Sequence, residues 1–424
     1  MKLLLLVICC MICSSLAGLI DKQAKLEAVL NDIEELLQDL KADDVPEPVG
    51  DLQELESMIN ERELQAVLNG AVIEGDISPK PSHKQDSQES PAIEEMLLHT
   101  ENIDEATTEV EAAGGHVLLQ LGHNLLVANV PSYVAKQNGF SQASAHISSS
   151  ASAETLSHAN AYWMARENEM KPQPTVQHWT EKTAPMAFKR EDSDEGVQGD
   201  APYRQTMTGK IAAVSLVASG PGCLAISGSE YQKIISECQA GLKFWANQAQ
   251  KNGVRLSFVL YAGKATITAS DPTYCSSYAS CHDVFANPTL QACGYPTGKA
   301  GKDQVVQYVK NHACADGAFL AFFSKYRQRH FAYAYFGGGP IYMQYSNDGW
   351  GSDQIDRVFA HEIGHVFNAP DEYTKCNCTQ QYGRGSCTAK NSNCNTCTSS
   401  QASCIMDVND LNLCEYTKKH VGWC

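Results

Sequence analysis

Long apolar runs are missing from this 424-residue chain beyond its first few residues, which excludes a protein built from membrane-spanning helices. Leu3 to Ile12 reads LLLLVICCMI, about ten apolar residues where a bilayer core needs roughly 20. It follows Met1-Lys2 and precedes small residues ending at Ser15-Leu16-Ala17, so residues 1–17 have the form of a secretory signal. We expect a secreted, extracellular protein with no membrane anchor.

Cysteine is missing between Cys13 and Cys223 and then abundant: 14 of the 17 cysteines follow, an even set that fits up to seven disulfides. A clustered positive charge is missing too. From Gln205 onward 18 Lys/Arg stand against 15 Asp/Glu, and the preceding part carries 14 against 34, so the net charge of -17 belongs to the N-terminal half. Without a basic face a nucleic-acid partner is excluded. The hydrophobic content of 43% rules out a disordered or fibrous chain and allows two or three domains.

Residues 18–91 read as an acidic helical pro-segment and linker. Leu26, Leu30, Ile33, Leu37 and Leu40 form a heptad seam too short for a secure coiled coil, and Ser78 to Pro91 is rich in Ser, Pro and charge. Residues 92–204 read as a prodomain and processing linker. In it EMLLHT, the helical NIDEATTEVEAAG and two strands in HVLLQLGHNLLVANVP form a strand-helix-strand-strand unit. The polar stretch Ser141 to Gly199 carries few structural signals but contains the dibasic step Lys189-Arg190, and exposed loops are where processing enzymes cut.

From residue 205 to 424 strands and helices alternate. Lys210 to Ala218, Val254 to Tyr261 and Ala318 to Phe323 are strand-like. Ser229 to Gln250 and Lys302 to His312 are helical, and Ala332 to Tyr345 is a Gly-interrupted pair or edge strand. The fold class expected is α/β or α+β, in layers. Asp271 to Gly298, with Cys275, Cys281 and Cys293, reads as a disulfide-pinned loop.

The chemical signal is His361-Glu362-Ile363-Gly364-His365-Val366-Phe367-Asn368-Ala369-Pro370-Asp371-Glu372-Tyr373, ending a helix that starts near the capping pair Ser352-Asp353. At about 100° per residue, His361 and His365 share one face, so both imidazoles reach one metal ion, while Glu362 points aside, where it can hold a water. A catalytic zinc needs a third protein ligand. No Glu occurs between Glu372 and Glu415, and the only later histidine is His420. Asp371 is close enough once the helix breaks: Pro370 stops it, and Asn368 suits a left-handed turn.

This arrangement resembles the metzincin clan of zinc metalloproteases, in its snapalysin-like form HExxHxxGxxD, at His361, Glu362, His365 and Asp371; Asn368 stands at the glycine position. Ser403-Cys404-Ile405-Met406-Asp407 is similar to the Met-turn beneath the metal of that clan. Over residues 205–424 the resemblance implies a metzincin-like catalytic domain, with a twisted mixed sheet, an active-site helix and a disulfide-rich C-terminal subdomain, after a small α+β prodomain. It implies a Zn2+ cofactor on His361, His365 and Asp371, with Glu362 as general base and acid. Substrates would be proteins or peptides, bound as an added strand on the edge around Gly338 to Tyr345, unless that is an ordinary hairpin.

Cys376-x-Cys378 and Cys394-x-x-Cys397 would suggest a structural zinc in the cytosol; export favours disulfides. The chain's own propeptide is the expected inhibitor of a zymogen. The cysteine gap excludes a thiol-to-zinc switch, and Val197-Gln198-Gly199-Asp200 resembles the astacin prodomain motif FxGD if cutting occurs after Arg204. The rival class is a disulfide-rich extracellular binding or matrix protein with a catalytically retired zinc site.

Overall fold

The computed structural model describes residues 93–132, 152–169, 186–188, 206–272, 277–373, 376–383 and 385–424. The chain divides into units 1–90 and 91–424, and every described residue lies in the second. The expected signal, the expected helix over Leu26 to Leu40, Lys189-Arg190, Val197 to Asp200 and Arg204 lie outside the described residues.

In chain order the elements are β1 (Ile93–His99), α1 (Ile103–Ala112), β2 (His116–Leu121), β3 (Leu125–Pro131), α2 (Ala153–Glu169) and β4 (Met186–Phe188). There follow β5 (Gly209–Ser219), α3 (Gly228–Lys251), β6 (Leu256–Thr266), α4 (Tyr278–Ala292), α5 (Gly298–His312), β7 (Gly317–Ser324), β8 (Ala332–Tyr335), β9 (Ile341–Gln344) and α6 (Ile355–Val366). The small pair β10 (Gln381–Tyr382) and β11 (Ala389–Lys390) and the helix α7 (Glu415–His420) end the chain.

One mixed sheet of nine strands runs β1-β3-β2-β6-β5-β7-β9-β8-β4. β5 lies between two parallel partners and is buried on both faces. Ile211, Ala213 and Val217 pack towards α3 and α6, and Ala212, Val214, Leu216 and Ala218 towards α4 and α5. A strand covered on both sides requires a continuous apolar run, which KIAAVSLVA supplies. The strand-helix-strand-strand unit forms as expected and joins this sheet: Leu119 to Leu121 of β2 pair in parallel with Phe258 to Leu260 of β6.

Three expectations change. Ala153 to Glu169, read as polar linker, is a helix with Thr155, His158, Ala159, Ala161, Tyr162 and Ala165 buried. Its buried side is mostly small residues, too weak an apolar stripe to stand out in sequence. Asp271 to Gly298 holds α4, not a long loop. Ser277 makes a capping box with Ser280, and Cys281, Phe285, Ala286, Thr289 and Leu290 form a buried stripe at helical spacing. Cys281 is disulfide-bonded, whereas Cys293 is unbridged. Finally, of the two readings of Ala332 to Tyr345 the Gly-interrupted pair holds and the edge at Gly338 to Tyr345 does not: β9 pairs antiparallel with β8 and in parallel with β7. β8 lies outside it, and its outer side is taken in parallel by β4, Met186 against Tyr333 and Phe188 against Tyr335.

Three disulfides tie the C-terminal segment, Cys376–Cys394, Cys378–Cys397 and Cys387–Cys424. Among the described residues no helix is long and apolar enough to cross a membrane.

Candidate metal centre

The helix α6 owes its position to α3. Trp245, fully buried, donates its indole N–H to the Ala360 carbonyl at 2.9 Å. The pair Ser352-Asp353 does not cap α6, which is a correction: Ser352–Gln354 form a 3-10 turn, and Asp353 forms an ion pair with Lys233 at 2.6 Å. The first turn is satisfied from another helix, the Asp356 N–H donating to Glu237 Oε2 of α3 at 3.0 Å. Gly364 faces the C-terminal segment, where Met406 Sδ lies 2.6 Å from the point a Cβ would occupy. Met406 thus lies directly under the turn between the two histidines and is itself buried.

The C-terminus of α6 closes in a Schellman arrangement. The Ala369 N–H donates to Gly364 O at 2.9 Å and the Asn368 N–H to His365 O at 3.0 Å, with Asn368 left-handed at φ 71°. Asparagine therefore makes the turn in place of glycine. After Pro370 the chain doubles back, and Asp371 Oδ1 comes to 3.2 Å from His361 Nε2 and 3.1 Å from His365 Nε2.

The far sides of both rings are tied to backbone acceptors. His361 Nδ1 lies 2.8 Å from Ile405 O, and His365 Nδ1 lies 2.7 Å from Ala369 O. A carbonyl only accepts, so each Nδ1 carries the proton, and in the neutral ring Nε2 presents its lone pair to Asp371. Burial disfavours a second proton on His361. Three acceptor atoms thus converge, Asp371 Oδ1 lying within hydrogen-bond distance of both ring nitrogens, an arrangement a cation relieves. Glu362 adds an independent sign: it is fully buried, neither of its carboxylate oxygens has a hydrogen-bond partner, and burial together with Asp371 pushes its carboxyl well above the usual range. The residues fit a metal ion.

No family model and no curated protein matches this chain.

The structure brings His361, His365 and Asp371 into one group able to hold a metal ion, with Glu362 on the same helix. His420 is elsewhere, near Ala389 O at 3.2 Å. Tyr373, without a role from sequence, is buried and hydrogen-bonds Asp371, and its hydroxyl is pushed well above its usual range by burial and by that carboxylate. Phe336 was missed: its ring lies 5.2 Å from that of His365, and the Gly337 N–H donates to His365 O at 3.3 Å. Nothing near Phe336 in sequence marks it; it arrives at the site as the residue after β8. A cavity of about 280 Å³ lined by Glu111, His116, Lys210, Arg255 and Asp316 shares no residue with this centre.

Proposed function

We propose that the chain is a secreted zinc-dependent endopeptidase of metzincin-like type, synthesised as a zymogen. The observation that carries the reading is the convergence of His361 Nε2, His365 Nε2 and Asp371 Oδ1 beside a buried carboxylate, Glu362, with no partner of its own. Two imidazoles and a carboxylate leave a position open, the ligand count of catalytic zinc. When bound there, zinc supplies a Lewis acid for the scissile carbonyl and lowers the pKa of a water.

The chain's own residues do the rest. Ile405 O and Ala369 O fix the histidine tautomers, and the Tyr373 hydroxyl donates to Asp371 and holds it in place. Glu362 accepts the proton of the attacking water on a carboxylate oxygen and returns it to the leaving amine nitrogen. Its burial keeps bulk water from competing for that proton.

Latency has support in the sheet. β8 runs into Phe336 beside His365, so its outer side is where an extended peptide would add a strand. β4 takes that side, directly before Lys189-Arg190 in sequence, as an intramolecular inhibitor would. The rival, an extracellular binding protein with a retired site, gives no reason for an unpartnered buried Glu362.

The test uses the full chain. Glu362→Gln should bind zinc at the wild-type stoichiometry and lose casein hydrolysis by roughly 10² to 10⁴ fold, with wild-type activity abolished by a chelator. Equal hydrolysis by the two proteins removes Glu362 from the mechanism, and chelator-resistant hydrolysis removes the metal.

A further inference from the structure

Cys404 and Cys414 stand out in the C-terminal segment because they alone are unbridged there, the other six cysteines from Cys376 on being paired. Both are buried, and with Glu372 their ligand atoms lie within 4.8 Å of one another. The Cys414 N–H donates to Cys404 Sγ at 3.4 Å, and the Ile405 N–H to Asn412 O at 2.8 Å, so the two ends of the intervening loop are already held together.

We propose that Cys404 and Cys414 are joined by a disulfide that locks the loop beneath the metal centre. Disulfides already stapling the same segment mean that it folds where thiols oxidise. The surroundings tolerate the loss of both thiol hydrogens. Cys414 Sγ donates to Glu372 Oε1 at 3.0 Å, but that oxygen also accepts from Thr417 Oγ1 at 2.8 Å, and Oε2 accepts from Asn393 Nδ2 at 2.6 Å. The buried carboxyl of Glu372 therefore keeps a partner on each oxygen.

A second metal on Glu372, Cys404 and Cys414 is the competing use of these atoms. A closed structural zinc takes four ligands, and the group supplies three, with both Glu372 oxygens already engaged. The disulfide needs nothing further in the site.

Formation is an exchange with an external disulfide, such as oxidised glutathione or a thiol oxidoreductase. One thiolate attacks the donor and forms a mixed disulfide; the second attacks that intermediate and expels a thiolate. The two thiols lose two protons and two electrons, and the donor gains both as two thiols. The bond closes over residues 405–413. That loop carries the Ile405 carbonyl that orients His361, Met406 under Gly364, and the Asn409 carbonyl that accepts from Arg357 Nη1 of α6. The cross-link would make the floor of the centre part of the covalent framework.

The experiment takes full-length protein folded with oxidised glutathione, alkylates it in denaturant without reduction, and digests it with trypsin and an Asp-directed protease. Cleavage before Asp407 and Asp410 separates the two cysteines, so a disulfide is read as a linked pair, the 410–418 peptide with Cys414 attached to the 391–406 peptide, which carries Cys404 besides the bridged Cys394 and Cys397, and fragmentation of that species places the bond on Cys404. Alkylated Cys404 and Cys414 overturn the proposal. So does a second zinc equivalent per chain whose removal by chelator is required before they alkylate. In Cys404→Ser/Cys414→Ser the linked pair should vanish, thermal unfolding should fall by roughly 5 °C, and zinc should exchange to chelator about 10-fold faster. Unchanged values for both overturn the assigned role of the bond. The linkage is read without any peptidase assay, so it and the enzymatic reading fail separately.

Discussion

Tyr373 fixes the carboxylate of the candidate metal group. Its hydroxyl hydrogen-bonds Asp371, and its ring lies 6.1 Å from that of His361. Partners of this kind contribute roughly 10- to 100-fold to metal affinity. Tyr373→Phe should therefore weaken zinc binding about 10-fold in competition with a chromophoric chelator, and Asp371→Ala should weaken it by more than that; equal affinity of Tyr373→Phe and wild type would deny the hydroxyl any positioning role. At this scale much was legible. The spacing of His361 and His365 on a helix, the stop at Pro370 and the left-handed Asn368 all follow from local backbone rules, and they suffice to bring Asp371 back. The carbonyls of Ile405 and Ala369, which set the tautomers, were not legible, because a backbone carbonyl has no signature in sequence.

The element α6 is held at its N-terminus by chemistry that local sequence hid. Ser352-Asp353 has the composition of a cap, yet the first turn takes its acceptor from Glu237 on α3. This brings two carboxyls together in the interior. Burial, and then Glu237, push the Asp356 carboxyl up to about 8, with Arg357 acting in the opposite sense. A folded-state pKa above the unfolded value near 3.9 makes a contribution to stability that is complete below that value and is lost as pH rises through about 8. In that window the pair removes up to about 1.4 kcal/mol of stability per pH unit. Asp356→Asn should therefore flatten the decline of unfolding free energy between about pH 4 and 8, measured by urea denaturation; parallel curves for variant and wild type would show that the Asp356–Glu237 pair does not set that slope. The helices α2 and α4 were illegible for a related reason. Their buried faces are built of alanine, threonine, histidine and cysteine as much as of large apolar residues, so the pattern is carried by packing and not by hydropathy.

Over the whole molecule, strand identity could be read from composition but strand partners could not, because pairing Leu119 with Phe258 depends on contacts far apart in sequence. That pairing bears on how a precursor would be processed. β1 to β3 and α2 are part of the main core: Leu97, Leu119, Val127 and Tyr162 lie in the same cluster as Ile235, Leu242 and Phe359. The contact is polar as well. Lys243 of α3, only 2% exposed, donates to Glu95 Oε1 of β1 at 2.7 Å, and Tyr162 of α2 donates to the same oxygen at 3.0 Å. Stripping a buried ammonium of its carboxylate costs about 3–5 kcal/mol, apart from the apolar surface uncovered. β4, by contrast, is tied to the sheet by three residue pairs at its edge. Cutting at Lys189-Arg190 should therefore free the outer side of β8 while the segment holding β1 to β3 stays bound without a peptide link. After limited cleavage there, gel filtration should return both fragments in one peak, parted only by denaturant, and the cleaved protein should hydrolyse casein faster than the uncut chain. Separation of the N-terminal fragment in native buffer, with the remainder still folding cooperatively at an unchanged Tm, would mean that the continuous sheet is not what holds the core together.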